Sequence, residues 1–369
     1  MIDLASIKTL IGFSELEASA IDQIAAVAAE PWLERMAVMP DCHTGYDLPI
    51  GCIAATRGVI VPSFVGYDIG CGMMHMNTGR TVEECGLADM DARRRLHAAI
   101  KSAIPCGVGR EHDAFKANIH LAGIGEFTAA CGDDALTQKV RAKAESQLGT
   151  LGAGNHYIEI GVNSAGIVGI TLHSGSRNVG HSIADWYIKN CHRVLDENST
   201  DAKNYLEDYS SAAGWAEINR AMMMYAIGEC MCIPAGDISS CSHNMVSRNT
   251  DGTWLHRKGA TPAHHGSDCI IPGSMASGVA IGYGLGNAEY LESCSHGAGR
   301  RMGRNQAKRT LSVDAFATAM QGVVCEPTVK DRLDEAPEAY KDFEAVLEAQ
   351  DGVVVRITDI FRPIINVKG

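Results

Sequence analysis

Apolar positions along the chain change period more than once. Ile21, Ile24, Ala25 and Ala28 recur at helical spacing behind Ser14-Glu15-Leu16-Glu17, which reads as a capping box, and the pattern predicts an amphipathic helix ending near Pro31. From Met39 to Gly72 the texture becomes short apolar runs, Ile50 to Ala55 and Val59 to Val61, punctuated by Gly and Pro. That is the pattern of buried strands joined by tight loops. Helical spacing returns over about Ala135 to Gln147, Ser182 to Leu195, Ser211 to Met231 and Glu335 to Gln350. His156 to Ile160, Val168 to Leu172 and Val353 to Ile357 read as strands. The sum is a mixed α/β chain without regular βαβ alternation. No repeat, low-complexity tract or linker divides it, which favours one domain.

Length and composition narrow the class. At 369 residues and 46% hydrophobic the chain can bury a sizeable core, as one large domain or two. A formal net charge of −12 excludes a uniformly basic surface, so a polyanion would have to meet a local patch. Two such patches exist: Arg300, Arg301, Arg304, Lys308 and Arg309 fall in an acid-free run from Ser295 to Thr310, and His256-Arg257-Lys258 forms a second. Each reads equally as a solvated helix face or as a phosphate site, where guanidinium groups pair with phosphate oxygens two at a time. Thirteen cysteines, an odd number, without a signal peptide point to a reducing cytoplasm and argue against a disulfide scaffold. The charge-poor stretch Cys269 to Asn287 is broken by Pro272 and five glycines, and reads as loops and short strands, not a membrane span.

Reactive side chains recur in glycine-rich turns beside short apolar runs, a setting that places catalytic groups on a rigid scaffold. Taken singly, each histidine there is more simply a hydrogen-bonded structural residue. Taken together, Asp68 and Cys71, three apart, offer a hard oxygen and a soft thiolate, and His156, His173 and His243 can each add an imidazole. That mixture suits Mn²⁺, Fe²⁺ or Zn²⁺ better than Mg²⁺ or Ca²⁺. Five ligands exceed one tetrahedral site, so a two-metal centre bridged by a thiolate fits. Metals beside a basic patch suggest phosphoryl or nucleotidyl transfer. No Walker A motif or well-placed GxGxxG is present. Cys230-Met231-Cys232 lacks zinc-finger spacing and reads as buried thiols in a helix. The stretch SHGAGRRMGR, Ser295 to Arg304, could by itself hold phosphate, hold a metal or carry a nucleophile; Gly297, Ala298 and Gly299 leave room for backbone amides to approach phosphate oxygens.

Ten motifs in order resemble the RNA-splicing ligase RtcB family: PDCHTGYDLPIG, GVIVPSFVGYDIGCG, LGTLGAGNHYIEI, LHSGSRNVGH, HNMVSR, HRKGAT, IPGSM, SHGAGR, EAPEAYKD and the terminal VKG. The resemblance runs from about Met39 to Gly369. It implies one large α+β domain over residues 1–369, a central β-sheet sandwich surrounded by helices. It also implies a GTP- and Mn²⁺-dependent ligase that joins RNA 3′-phosphate or 2′,3′-cyclic phosphate ends to 5′-hydroxyl ends. The family's ligands for two Mn²⁺ ions match Asp68, Cys71, His156, His173 and His243, with Cys71 bridging, and its guanylylated histidine matches His296. Its GTP-binding positions match Asn155, His156, Tyr157, Ile158, Glu159, His243, Asn244, Pro272, Gly273, Ser274, Met275, His296, Gly297, Ala298, Gly299, Tyr340 and Lys368. Tyr340 would stack on guanine and Glu159 would hydrogen-bond it. Arg177, Arg300 and Arg304 would meet phosphates of nucleotide or RNA. An archease-like accessory protein and a cytoplasmic location accompany the family.

Two departures bear on the substrate. A serine expected five residues beyond Ser274 is Val279, which removes one expected nucleotide contact, and the stretch Cys106 to Ser146 is abbreviated. Both leave open repair of cleaved tRNA or rRNA as against tRNA splicing. Two readings of other classes compete with the ligase: a metal-dependent phosphodiesterase or phosphatase acting on RNA ends, and an RNA-binding protein without catalysis.

Overall fold

A computed structural model describes residues 3–112, 127–234, 236–326 and 329–369. Its largest element is a seven-stranded antiparallel sheet in the order Asp268–Pro272, Val279–Gly284, Val355–Lys368, Tyr157–Val162, Ile167–Ser174, Gly72–Thr81 and Asp237–Ser242. The two edge strands curl until Ser239 Oγ donates to Asp268 Oδ2 at 2.7 Å, so the sheet nearly closes on itself. Period-two alternation explains the closure. Met73, Tyr157, Ile270, Val279 and Phe361 point inward to one cluster, while Met74, Ile158, Ile170 and Leu172 point outward against the helices Met90–Ala103 and Thr200–Met231.

A second sheet of five strands, Lys8–Thr9, Leu33–His43, Ile50–Thr56, Trp254–Lys258 and Asn244–Arg248, packs beside the first. At one of its passages between the sheets the chain uses a single residue, His243, which separates Asp237–Ser242 from Asn244–Arg248. The expected α+β sandwich surrounded by helices is the architecture found.

Several element boundaries differ from the sequence expectations, each for a local reason. The helix Ala18–Ala28 is preceded by a separate 3₁₀ turn, Phe13–Glu15, and the capping interaction belongs to that turn: Glu15 accepts from the Gly12 N–H at 2.9 Å. No continuous helix spans 335–350. Pro337 and the extended Tyr340 divide the region into short 3₁₀ pieces and the helix Phe343–Glu348. The helix expected from Ser211 starts at Thr200, capped by Ser199, and the one expected from Ser182 runs Arg177–Asn190. The strand expected over 353–357 is the long Val355–Lys368. Cys232 is exposed in a left-handed cap, contrary to the buried-thiol reading. His256-Arg257-Lys258 is a buried strand in which His256 accepts from the Val61 N–H and Arg257 donates to Ser293 Oγ and the Leu291 carbonyl. Only Lys258 reaches a cavity. Val279 is fully buried in the barrel interior, packed in the cluster of Met73, Tyr157, Ile270 and Phe361. The abbreviated stretch lies partly outside the described residues. Among the described residues no helix is long and apolar enough to cross a membrane.

One buried cation ties the strand ends together. Arg220, on Thr200–Met231 and fully buried, donates to the carbonyls of Gly70 at 2.7 Å and Ser174 at 3.0 Å and to Ser242 Oγ at 3.3 Å. A lysine has the charge, but its donors sit on one atom, whereas these acceptors are spread over two nitrogens of a planar fork. Arg220→Lys is therefore expected to lower unfolding free energy by about 3 kcal/mol, read from the shift in urea midpoint at unchanged m-value; a shift within error would remove the guanidinium from this role.

Candidate active site

Register brings four strand ends to one place. Gly72 pairs with both Ser174 and Ser242, and Tyr157 pairs with both His173 and Lys368. Cys71 therefore precedes one strand, His156 precedes the next, His173 lies one residue from the end of a third, and His243 follows a fourth. The four side chains converge, all buried, and Asp68 joins them from the turn before Cys71.

The donor atoms are aimed. His156 donates Nδ1–H to the Leu151 carbonyl at 3.0 Å and His173 donates Nδ1–H to the Asn155 carbonyl at 3.1 Å, so both turn a basic Nε2 inward. From Cys71 Sγ, His173 Nε2 is 3.2 Å away and His156 Nε2 3.6 Å. His173 Nε2 and His243 Nε2 are 3.2 Å apart, and Asp68 Oδ2 lies 3.1 Å from His156 Nε2. Two overlapping triads result, Cys71-His173-His243 and Asp68-Cys71-His156, with Cys71 in both. Lone pairs packed this closely repel unless a cation lies among them, so the donor set fits a metal.

Electrostatics agree with that fit. Burial holds the imidazoles of His173 and His243 well below the usual range, so both are neutral and could serve a metal. Burial works to raise Asp68, but the neighbouring His156 and the hydrogen bonds from Cys71 and Ser176 override it and hold the carboxyl at about 2. Burial and the neighbouring Asp68 push the Cys71 thiol up, so a metal that takes the thiolate must displace its proton.

Beside the triads lies a cavity of about 360 Å³. Asp68, Cys71, Asn155, Tyr157, Glu159, His173, His243, Asn244, Pro272 to Met275, His296 to Gly299, Arg300, Arg304, Tyr340 and Lys368 all line it. Strand alternation sorts the remainder: Ile158 points into the core, and His156 sits behind in the ligand cluster. Arg177 lies off the cavity wall, its Nε donating to Thr150 Oγ1 at 3.3 Å. The amide of Ala298 is committed to the Pro272 carbonyl at 2.8 Å, joining two loops and leaving that N–H no role toward phosphate.

His296 is held by an acid the sequence reading passed over. Asp41, fully buried, accepts from His296 Nδ1 at 2.6 Å and from its backbone N–H at 3.2 Å. The pairing needs close backbone contact: Gly299, at φ 73°, would drive a β-carbon to 2.2 Å from the Asp41 carbonyl oxygen. With Nδ1 committed, Nε2 is the nitrogen available to a ligand. The His243 ring is 4.9 Å away, so His296 adjoins the triads without belonging to them. His43 stacks on it from the other side at 6.5 Å, neutral because burial holds its imidazole at about 4.

At the far end Glu335 gathers the cations. It accepts from Lys368 Nζ and Tyr340 Oη, both at 2.5 Å, from Arg300 at 3.3 Å, and from Arg304. Burial would raise its carboxyl, but the charges of Lys368 and Arg304 hold it at about 2. Arg300 also covers the Tyr340 ring at 5.2 Å. Glu159 has the opposite environment: burial pushes its carboxyl up to about 8, with one oxygen lacking a partner and the other 3.3 Å from Asn366 Nδ2. Asp41, His43, Lys258, Glu335 and Asn366 are the site residues that sequence reasoning left without roles; Asp41 and Glu335 lay inside the motifs PDCHTGYD and EAPEAYKD, where their pairing only becomes visible in three dimensions.

Sequence comparison bears on the whole chain. A family model described as tRNA-splicing ligase RtcB matches residues 23–369. The chain belongs to the RtcB family. It is 35% identical to the RNA-splicing ligase RtcB of Escherichia coli K12, over 96% of this chain and 95% of that protein. Similarity to the tRNA-splicing ligase RtcB of Nanoarchaeum equitans is 28% over 91% of this chain and 88% of that one. The RNA-splicing ligase RtcB of Mycobacterium tuberculosis, also 28% identical, is covered along 100% of its length by 94% of this chain. The family match thus embraces the seven-stranded sheet, the five-stranded sheet apart from Lys8–Thr9, and every group described at the cavity.

Because Cys71 belongs to both triads, Cys71→Ala is expected to lose metal from both, whereas His156→Ala or His243→Ala loses one cluster's share. Metal retained after equilibrium dialysis against Mn²⁺ or Zn²⁺ measures this, and equal losses across the three variants would rule out a shared thiolate.

Proposed function

We propose that this RtcB-family protein is a GTP- and Mn²⁺-dependent RNA ligase that joins 3′-phosphate or 2′,3′-cyclic phosphate ends to 5′-hydroxyl ends through a guanylylated His296. The observation that carries the proposal is the Asp41–His296 pair: a buried carboxylate fixes one ring nitrogen and presents the other to a cavity that adjoins the ligand cluster. A structural histidine has no need of that arrangement. Asp68, Cys71, His156, His173 and His243 would hold two Mn²⁺ ions, Cys71 bridging, and the ions would neutralise phosphate oxygens.

The protein's own groups supply the remainder. His296 Nε2 attacks the α-phosphorus of GTP and pyrophosphate leaves; Asp41 keeps the imidazole in the Nδ1–H tautomer and stabilises the charge that develops on the ring. Glu159 accepts from the N–H edge of guanine, Tyr340 stacks on the base, and Lys368, Arg300 and Arg304 face phosphates. GMP then passes from His296 to the RNA 3′-phosphate, and the 5′-hydroxyl attacks that activated end, releasing GMP. Residues 1–369 act in this reading as one ligase domain serving repair or splicing of RNA in the cytoplasm, with an archease-like protein as possible accessory.

Incubation with α-labelled GTP and Mn²⁺ is expected to leave label on the protein in denaturant, absent in His296→Ala; an unlabelled wild type would favour a phosphodiesterase built on the same centre. Asp41→Ala, which removes the acceptor that fixes the Nδ1–H tautomer, should slow labelling by about a hundredfold while retained metal is unchanged. The Glu159 carboxyl carries a proton below about 8, and guanine N–H donors require it ionised. GTP affinity should therefore rise with pH and level off above about 8, and in Glu159→Gln be weak and flat; an unaltered profile in that variant would remove Glu159 from base recognition.

A further inference from the structure

A second cavity, of about 200 Å³, is linked to the first through one lysine. Lys258 lines the larger cavity, yet its ammonium donates to the carbonyls of Ser63, at 3.0 Å, and Tyr46, both of which wall the smaller one. An ammonium has three N–H donors. One is left for a ligand that passes between the two spaces.

The smaller cavity has the lining of a base site. Tyr46, Pro62, Tyr187 and Ile188 make its apolar walls. Asp47 and Arg193 supply polar edges, locked to each other by hydrogen bonds from Arg193 Nε and Nη2 of 2.8 to 3.1 Å. Asp47 is one of few non-glycine residues with positive φ, at 65°, a conformation that persists only where surroundings enforce it. An acid in the wall repels a phosphate, while an aromatic wall with paired donor and acceptor suits a nucleobase. The rings also continue into the larger cavity. Tyr46, 57% exposed, packs against Tyr67 at 6.1 Å; Tyr67 lines the larger cavity and meets exposed His181 edge-on at 5.1 Å. An exposed tyrosine at such a mouth contributes little to folding, and stacked bases are what aromatic platforms of this type hold.

We infer that the smaller cavity receives an unpaired nucleobase of the RNA strand whose end occupies the reaction cavity, stacked on Tyr46, with Lys258 meeting the phosphate between them. The inference rests on the ligase reading for its substrate class and adds a base subsite to it.

Anisotropy of labelled RNA oligonucleotides tests it without turnover. One set ends in a 3′-phosphate and another begins with a 5′-hydroxyl, and successive nucleotides next to the end are made abasic in turn. One abasic position is expected to weaken binding to the wild-type protein by about tenfold, and the set in which it occurs identifies the strand. Tyr46→Ala should weaken binding of the intact oligonucleotide by a similar factor and become indifferent to that abasic position; Tyr46→Trp should restore both. Labelling with GTP is expected to be unchanged in Tyr46→Ala. Binding indifferent to every abasic position in both sets, or penalties of Tyr46→Ala and the abasic site that simply add, would overturn the subsite. The abasic series on wild-type protein needs no variant to fold. Base-sensitive binding by a protein that never accepts label would sink the ligase reading alone, whereas labelling with base-indifferent binding would sink this one.

Discussion

A single buried guanidinium sets the geometry on which the rest depends. Arg220 joins the backbone at Gly70 and Ser174 to the side chain of Ser242, and these three positions adjoin Cys71, His173 and His243. Strands in a strongly curled sheet diverge at their ends because the twist accumulates. Holding three ends within one side chain's reach opposes that divergence where the ligand atoms must meet. The same helix presents Asn219, which accepts from the amides of Gly149 and Thr150 and donates to Ser174 Oγ, fixing the loop that leads to His156. Positioning of the ligands is thus delegated to the helix Thr200–Met231, whose own side chains take no part among the donor atoms.

The second organising feature is the meeting of the two sheets. His243 is a residue at which the chain leaves one directly for the other, and Asp41 comes from the five-stranded sheet to hold His296. The ligand cluster belongs to the seven-stranded sheet, the orienting acid to its neighbour. His296 lies between them, 4.9 Å from His243 by ring centroid. A reaction that needs a histidine beside metals but outside their coordination is served by this division, because the acid that fixes its tautomer cannot also be captured by an ion.

Much of this was legible in the sequence, and the failures have physical causes. The ligand residues and the cavity loops sit in glycine-rich turns whose composition is informative by itself. Strand positions followed from apolar runs, since strands buried on both faces leave unbroken runs. The helix expected over 335–350 failed because helical spacing there is interrupted by Pro337 and by the role of Tyr340, which must lie extended to reach Glu335. Asp41 was missed because a carboxylate next to a cysteine in a strand carries no local signal; its partner is 255 residues away. Lys258 read as part of a basic cluster because sequence adjacency hides strand alternation: its neighbour Arg257 faces the opposite side and is structural.

The cations at the cavity raise a question of charge balance that the pairing resolves. A chain of net charge −12 that meets a polyanion needs positive groups where the phosphates go and nowhere else. Arg300, Arg304 and Lys368 are buried or half-buried, and unpaired they would repel one another and depress their own ionisation. Glu335 offsets the repulsion by accepting from all three and works against the burial that holds Lys368 below the usual lysine range. A phosphate entering it shares donors already ordered, which lowers the entropy it must overcome.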